Sequence, residues 1–338
     1  MIELDGSHGE GGGQLVRTAV ALSALTGRPL ALRNVRAGRL RPGLAPQHLA
    51  AVRAVAALCE ARCEGLEPRS AAFTFEPRAH PAGGELRVDV GTAGSVTLVL
   101  QALLPVLLAA RARSRVVVTG GTDVRQAPTW DYFCEVLLGL LGRMRLRVRA
   151  RLVRRGYYPR GGGEVALEVE PGVPAPLKWP APPASWRIAG EAHVANLPLA
   201  IAERMRHAAQ AVVGEAEIGA RALGPEAAAG TGGAVTLWAA SQAGLLGASR
   251  VAERGVRAET LGTAVGQELA ADLASGANLD VHAADQVLVY LALAPRGSSF
   301  AVREVCGHAR TTIWLLEQFL EARFSVAPEG ALWRVRRV

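Results

Sequence analysis

Along residues 1–90, the hydrophobic positions alternate between the spacing of strands and the spacing of amphipathic helices. This pattern predicts six elements: a strand at 2–4, a helix over 14–26, a strand at 30–35, a helix over 46–59, and paired strands at 71–75 and 86–90. Gly27 follows the first helix directly, and glycine is the residue that most often ends a helix in the left-handed conformation. The predicted order is βαβαββ.

The same order, followed from its first helix onward, is predicted twice more along the chain. The second unit begins at a glycine loop and contains a helix over 96–110, a strand at 116–119, a helix over 129–141, and strands at 146–153 and 164–170. The third, near the end, contains a helix over 282–294, a strand at 300–305, a helix over 310–320, and strands at 323–326 and 332–338. Because each unit can present a sheet with two helices on one face, we predict an α+β fold of three stacked βαβαββ repeats.

A break in composition separates the second unit from the third. Residues 171–185 contain six prolines and are typical of a stiff linker. Beyond them the pattern predicts six further elements: a strand at 186–194, a helix over 198–213, strands near 216–222, 234–240 and 246–253, and a helix over 259–274. We therefore predict a smaller inserted α/β domain at 183–277 and a repeated domain formed by 1–182 and 278–338.

Composition excludes several classes of protein. The chain has 338 residues, of which 50% are hydrophobic, and a net charge of +8, which excludes a disordered chain. All but one of the basic residues are arginines, which is the bias expected of a GC-rich genome. The pI near 10.1 is therefore only weak evidence for a polyanionic partner. The four cysteines form no CxxC pair, so neither a disulfide framework nor a zinc site is expected. With no secretory signal and no apolar stretch long enough to span a bilayer, we expect a cytoplasmic protein.

The first candidate site is the segment GEGGGQLVR at 9–17. Glycines ahead of a helix let the backbone approach a ligand and direct its N–H groups at an anion. Glu10 lies inside this loop, and a carboxylate beside a phosphate site is typical of a divalent-cation ligand. The segment is neither a Walker A motif nor a dinucleotide fingerprint. A plain glycine-rich turn that caps the helix is an equally good interpretation.

Two more segments are compatible with phosphate binding. RAGRLRPGLAPQH at 36–48 has three arginines within six residues, which suits forked recognition of phosphate oxygens. GTAGS at 91–95 repeats the glycine loop ahead of a helix that carries Gln101. The alternatives are a solvated basic loop for the first segment and a purely structural turn for the second.

The last two segments lie near the end of the chain. HAADQ at 282–286 places an imidazole, an acid and an amide at the start of a helix, where they could bind a base and ribose, although Asp285 could simply stabilise the helix N-terminus. GHARTTI at 307–313 places His308 where a strand gives way to a helix. A neutral imidazole at such a position can act as a nucleophile, and a structural hydrogen-bonding role is the alternative.

Taken together and in order, the segments at 9–17, 36–49, 282–294 and 308–319 resemble the RNA 3′-terminal phosphate cyclase family over nearly the whole chain. The resemblance implies a fold similar to the enolpyruvyl transferases and to the C-terminal domain of translation initiation factor three. It implies a ligase that uses ATP to convert an RNA 3′-phosphate into a 2′,3′-cyclic phosphodiester. The reaction passes through a histidine–AMP adduct and an adenylylated RNA end. The partners would be ATP and RNA ending in a 3′-phosphate, and a homodimer is left open.

The resemblance also assigns roles by motif position. His308 would be the nucleophile, and Glu10 would hold a divalent cation, Mg²⁺ or Mn²⁺. The residues that contact the triphosphate and the terminal phosphate of the RNA would be Arg17, Arg36, Arg39, Gln47 and His48. The residues that form the pocket for adenine and triphosphate would be Gln101, Pro128, His282, Ala283, Ala284, Asp285 and Gln286.

The sequence departs from the family pattern at one position. Relatives tend to carry H-x-x-T-N-I, whereas this chain has Thr312 in place of the asparagine, which puts a hydrogen bond near the nucleophile in doubt.

Three rival interpretations remain. A non-catalytic, cyclase-like RNA-processing protein would lack His308. An enolpyruvyl transferase would use lysine and arginine, and Lys178 is the only lysine here. An RNA-binding module would interleave basic and aromatic residues, yet aromatics make up only 5% of the chain.

Overall fold

One sheet topology recurs through the computed structural model, which describes residues 1–179 and 185–338. Part of the predicted proline-rich linker, residues 180–184, and the predicted boundary between 182 and 183 lie outside the described residues. In the part of the chain that is described, no helix is both long and apolar enough to cross a membrane.

The first unit has the predicted βαβαββ order. Its elements are β1 (Ile2–Asp5), α1 (Gly13–Thr26), β2 (Leu30–Arg33), α2 (Pro46–Leu58), β3 (Arg62–Glu64) and β4 (Phe73–Glu76). The strands are ordered β1-β2-β4-β3, with β1 and β2 parallel and the other pairs antiparallel. Gly27 ends α1 at φ 66°, in the left-handed conformation that glycine adopts most easily.

The second unit repeats this topology. Its elements are β5 (Gly84–Asp89), α3 (Val96–Leu108), β6 (Ser114–Gly120), a continuous helix made of α4 (Trp130–Tyr132), a π-helical stretch (Phe133–Leu138) and α5 (Gly139–Arg143), then β7 (Arg147–Arg154) and β8 (Gly163–Glu170). The strand order is β5-β6-β8-β7, and β5 runs parallel to β6. This corrects the predicted pairing of 71–75 with 86–90: β4 pairs with β2 and β3, and β5 opens the second unit. The three-residue β3 is too short for periodicity to reveal.

The segment between the second and third units forms its own sheet. Its elements are β9 (Arg187–Ala195), α6 (Leu199–Val213), β10 (Glu217–Leu223), β11 (Gly232–Ser241), β12 (Gly244–Val251) and α7 (Ala258–Ser275). The sheet order is β10-β9-β11-β12, and most of the buried side chains of these elements form a separate hydrophobic cluster. These observations agree with an inserted α/β domain, and its bounds at 183–277 stay a prediction.

The third unit has a smaller sheet than the other two. Its elements are α8 (Val281–Leu293), β13 (Ser299–Val302), α9 (Gly307–Phe319), β14 (Phe324–Glu329) and β15 (Leu332–Arg337). The sheet order is β13-β15-β14. The position of a first strand is reduced to a single bridge between Leu279 and Leu245 of the insertion. The repeated α+β architecture is confirmed. The third unit has the two helices and three strands predicted for it, one strand short of a full βαβαββ repeat.

The helices of the three units meet in one shared core. Helix α3 is apolar over almost its whole length, and most of its side chains are fully buried, as expected for a helix surrounded by other elements. It packs against α1, α2 and α8, while α9 packs against both α1 and α8. The N-termini of α1 and α9 are thereby brought together, which places the glycine-rich loop beside the histidine segment.

Candidate active site

His308 and Glu10 form the centre of the candidate site. His308 lies in the first turn of α9, and its Nδ1 contacts Oε2 of Glu10, in the loop between β1 and α1. A carboxylate can only accept, so Nδ1 carries the proton and Nε2 keeps a free lone pair. The two side chains are 43% and 38% exposed, so a ligand can reach them. A side chain at Gly307 would come within 2.9 Å of the Glu10 side chain, which explains the glycine.

The glycine-rich loop lies directly along α9. At Gly9, with φ +59°, a Cβ atom would come within 2.2 Å of Thr311 Oγ1. The backbone N–H of Glu10 donates to the same hydroxyl at 3.4 Å. Only glycine allows both this backbone conformation and this close approach. The loop therefore holds Glu10 against the first turn of α9.

A small cavity of about 40 Å³ lies beside this pair, among α1, α3, α8 and α9. Its polar lining consists of Gln14, Arg17, Thr18, Gln101, Asp285, Gln286 and Thr312. The structure thus brings together four of the predicted residues from three separate segments of the chain. Gln286 Oε1 is buried and has no hydrogen-bond partner among the described residues. A buried acceptor of this kind is open to a donor on a ligand.

Asp285 and Thr312 belong to one hydrogen-bond network in this cavity. The Gln14 amide donates to Asp285 Oδ1 and, at 2.8 Å, to Thr312 Oγ1. Thr312 in turn donates to Asp285 Oδ1 at 3.1 Å. Burial raises the pKa of Asp285, while the nearby His308 opposes the shift. Relatives tend to carry asparagine at position 312. Thr312 also forms hydrogen bonds there, but its partners are Gln14 and Asp285 and not the imidazole of His308.

Arg17, Arg36 and Arg39 form a cationic group next to the glycine-rich loop. Burial lowers the pKa of Arg17 to about 10, against the opposing charge of Asp285, so its guanidinium stays charged at neutral pH. Arg36 Nη1 donates to the Gly43 carbonyl at 2.8 Å, and burial lowers its pKa also. Arg39 Nη2 donates to the Glu10 carbonyl at 3.3 Å. Cations this close repel one another, and an anionic ligand would relieve that repulsion.

His48 is buried between this cationic group and the start of α1. Its Nδ1 accepts from the Ala45 N–H at 3.2 Å, so Nε2 carries the proton. Burial, together with Arg17 and Arg36, lowers the pKa of His48 to about 3, which keeps the ring neutral at pH 7. The ring lies against Gly13, where any Cβ atom would come within 2.0 Å of Nε2. The structure therefore places His48 at the first residue of α1.

The remaining predicted residues do not line the cavity. Gln47 Oε1 accepts from the Ser95 N–H at 3.0 Å, and the Pro128 carbonyl accepts from Thr97 Oγ1 at 2.9 Å. His282 is exposed and lies 3.6 Å from Glu268 of α7, and its hydrogen bond to that carboxylate raises its pKa. Two further predicted residues belong to the hydrophobic core, namely Ala283 and Ala284. The roles assigned to these residues stay predictions.

A second histidine–carboxylate cluster joins the second unit to the insertion. Asp123, Asp131 and His193 offer ligand atoms within 4.8 Å of one another, close enough to hold a metal ion. Arg155 already bridges the two carboxylates, at 2.9 Å from Asp123 and 2.7 Å from Asp131. Burial and Arg155 lower the pKa of His193 to about 4, and the side chain is 1% exposed. The guanidinium of Arg155 thus supplies the positive charge that a metal ion would supply in this buried cluster.

Comparisons with known proteins decide the family. The family model described as RNA 3′-terminal phosphate cyclase matches residues 8–326. The chain belongs to the RNA 3′-terminal phosphate cyclase family. A protein of that name from Nitrosospira multiformis is 53% identical over 340 residues, covering 99% of this chain and 96% of the relative. One from Pyrobaculum neutrophilum is 42% identical, covering 97% of this chain and 96% of the relative.

A solved structure was also found to be similar to this cyclase-family chain. It is the enolpyruvyl transferase NikO from Streptomyces tendae, with a TM-score of 0.39 and 9% sequence identity. The match covers 99% of this chain, which spans about half of that structure, at 48% of its length. The family resemblance expected from the sequence is confirmed by the family model and the relatives.

Sequence reasoning did not single out three residues of the site, one of which is Thr18, the neighbour of Arg17 on α1. Gln14 lies within the segment at 9–17, one helical turn before Arg17, and that spacing on a helix could have placed both on one face. Thr311 could not have been found in this way, because its role depends on packing of the glycine-rich loop against α9.

Proposed function

We propose that this protein is an RNA 3′-terminal phosphate cyclase that acts through a covalent histidine–AMP intermediate. The observation that carries the proposal is the His308–Glu10 pair, half-exposed beside a polar cavity and a group of arginines. Membership of the family supports the same activity. An RNA 3′-phosphate has no leaving group, so it must be activated before it can be cyclised, and a covalent intermediate divides that step in two.

In the first step, Nε2 of His308 attacks the α-phosphorus of ATP. An N–P bond forms, the bond to the β-phosphate oxygen breaks, and pyrophosphate leaves with the electron pair. The Nδ1–H bond to Glu10 would hold the ring in the reactive tautomer and stabilise the positive charge that develops on it. Arg17 and the neighbouring arginines would bind the phosphates through charge-assisted hydrogen bonds. Gln286 Oε1 would accept a hydrogen bond from a donor on the nucleotide.

The remaining steps transfer AMP to the RNA and close the ring. An oxygen of the RNA 3′-phosphate attacks the adenylyl phosphorus, the N–P bond breaks, and His308 is regenerated. The ribose 2′-OH then attacks the RNA phosphorus, loses its proton, and displaces AMP. This last reaction is intramolecular and gains from the proximity of the two groups on one ribose. The residues that we propose contact the triphosphate and the terminal phosphate of the RNA are Arg36, Arg39, Gln47 and His48.

Glu10 is also suited to a divalent cation. Among the described residues, His308 alone contacts its carboxylate at hydrogen-bond distance, so one oxygen remains available. A single carboxylate completed by substrate phosphates is the usual setting for Mg²⁺, which would neutralise phosphate charge during adenylylation. Four points remain predictions: whether the cation is Mg²⁺ or Mn²⁺, the adenine pocket at Pro128 and His282 to Ala284, a cytoplasmic location, and a homodimer.

The test compares two RNA strands that differ in one hydroxyl. With ATP and Mg²⁺, RNA ending in a 3′-phosphate should yield a 2′,3′-cyclic end, AMP and pyrophosphate. The same strand with a 2′-deoxy terminal sugar should accumulate as the adenylylated RNA, because it lacks the nucleophile of the last step. Product analysis by gel and mass spectrometry distinguishes the two ends. Failure to consume ATP with either strand would contradict the proposal and favour a non-catalytic RNA-processing protein.

A further inference from the structure

His8 and Trp314 form a stacked pair at the edge of the candidate site. Their ring centroids lie 3.7 Å apart, with 19° between the ring planes. His8 is exposed, whereas Trp314 is partly buried on α9. Among the described residues, no hydrogen bond or ion pair involves the His8 ring. An aromatic ring held flat by a partner, with its side chain open to solvent, is a suitable surface for stacking a nucleobase.

The pair lies two loop residues from Glu10, which contacts His308. Three consecutive loop residues contact α9 in steps: Glu10 approaches Gly307 and His308, Gly9 lies on Thr311, and His8 stacks on Trp314. The helical positions 307, 311 and 314 share one face of α9. Trp314 lies six positions after His308, a rise of about 9 Å along α9, which is on the scale of one nucleotide. A phosphate bound beside His308 and Glu10 could therefore extend its own base along the loop towards His8.

Two faces of α9 have different surroundings. Thr312 faces the small polar cavity that also contains Gln286, whose Oε1 is proposed to accept a hydrogen bond from the nucleotide. The face that carries Thr311 and Trp314 meets the glycine-rich loop instead. The stacked pair is therefore separate from that cavity and remains free for a second ligand.

We propose that the ring of His8, supported by Trp314, stacks on the nucleobase of the 3′-terminal nucleotide of the RNA. The inference rests on the proposed function and adds a subsite for the terminal base. Because every base offers a π-face, the subsite would accept all four bases and would favour an unpaired end. His8 would thereby position the 3′-phosphate beside His308.

The experiment combines His8→Ala with an RNA that lacks its terminal base. His8→Ala should raise the KM for RNA with an intact end by about 5- to 150-fold, the penalty for losing one base–aromatic stack. With an abasic terminal nucleotide, wild type and His8→Ala should have the same KM. His8→Phe should restore the wild-type KM within about threefold, since it keeps an aromatic face. His80→Ala, which changes an exposed histidine in a distant loop, is the matched control.

AMP loading of the protein without RNA shows whether His8 binds RNA or only supports the structure of the site. It also shows whether the proposed function itself holds. AMP loading of the protein without RNA should proceed at the wild-type rate in His8→Ala. If loading slows as much as cyclisation, His8 only fixes the Glu10 loop and the inference is overturned. It is equally overturned if the His8→Ala penalty persists with the abasic RNA. If the wild-type protein itself fails to load AMP, the proposed function fails first.

Discussion

His308 and His193 each lie beside carboxylates, but their surroundings differ in every other respect. The His308–Glu10 pair is half-exposed, and Nε2 of His308 carries a free lone pair. His193 is buried against Asp123 and Asp131, and Arg155 bridges both acids. The first arrangement leaves a nucleophile within reach of a ligand. The second encloses Arg155 between two carboxylates, and both ring nitrogens of His193 are buried without a hydrogen-bond partner among the described residues. This arrangement fits a role in attaching the insertion to the second unit.

The comparison shows why residue type alone does not identify a reactive histidine. The pair that joins His308 to Glu10 is solvated, so its direct contribution to stability is small. The charges around His193 are desolvated, so removing one of them would leave another without a partner. Substitutions should therefore reduce chemistry at the first site and stability at the second.

Among the groups around His308, the largest effect is expected at Glu10. Glu10→Gln should slow AMP loading of the protein by about 10²- to 10⁴-fold, because the carboxylate orients His308 and stabilises charge on its ring. The free energy of unfolding should change by less than about 1 kcal/mol. Asp131→Asn is the control from the buried cluster, and it should lower stability while the folded protein loads AMP normally. Wild-type loading by Glu10→Gln would show that the pair has no catalytic role.

Arg155 provides the converse change. Arg155→Met should lower the free energy of unfolding by about 3–5 kcal/mol, because it leaves two largely buried carboxylates without their cation. Denaturant unfolding measures the loss. Arg113→Met is the matched control, since Arg113 pairs with Glu170 from a side chain that is 79% exposed, and its cost should stay below about 1 kcal/mol. Equal stability of the two variants would contradict the distinction between the clusters.

Local patterns predicted the fold more fully than the site. The 3.6-residue period and Gly27 give α1 to within one residue, but no local signal gives β3 or the pairing of β4 with β2, because partners in a sheet are distant in sequence. In α8, successive residues point in different directions: His282 is exposed, Ala283 and Ala284 are in the core, and Asp285 and Gln286 line the cavity. A contiguous motif therefore overstates the number of residues that reach a ligand.

The buried cluster around His193 could not be predicted from the sequence. Its four residues stand at 123, 131, 155 and 193, which share no regular spacing and lie in α4, in β9 and in two separate loops. They meet because β9 of the insertion packs against the end of the second unit. By contrast, Glu10 and His308 stand in two compact motifs, and the resemblance to a family linked them before the structure brought them together.

The most direct test of the central claim locates the AMP. The protein is incubated with ATP and Mg²⁺ without RNA, digested at neutral or alkaline pH to preserve a phosphoramidate, and its peptides are mapped by mass spectrometry. The account predicts one AMP on His308, no AMP on His308→Asn with its fold intact, and normal loading of His193→Asn. AMP on any other residue, or loading of His308→Asn, would contradict it.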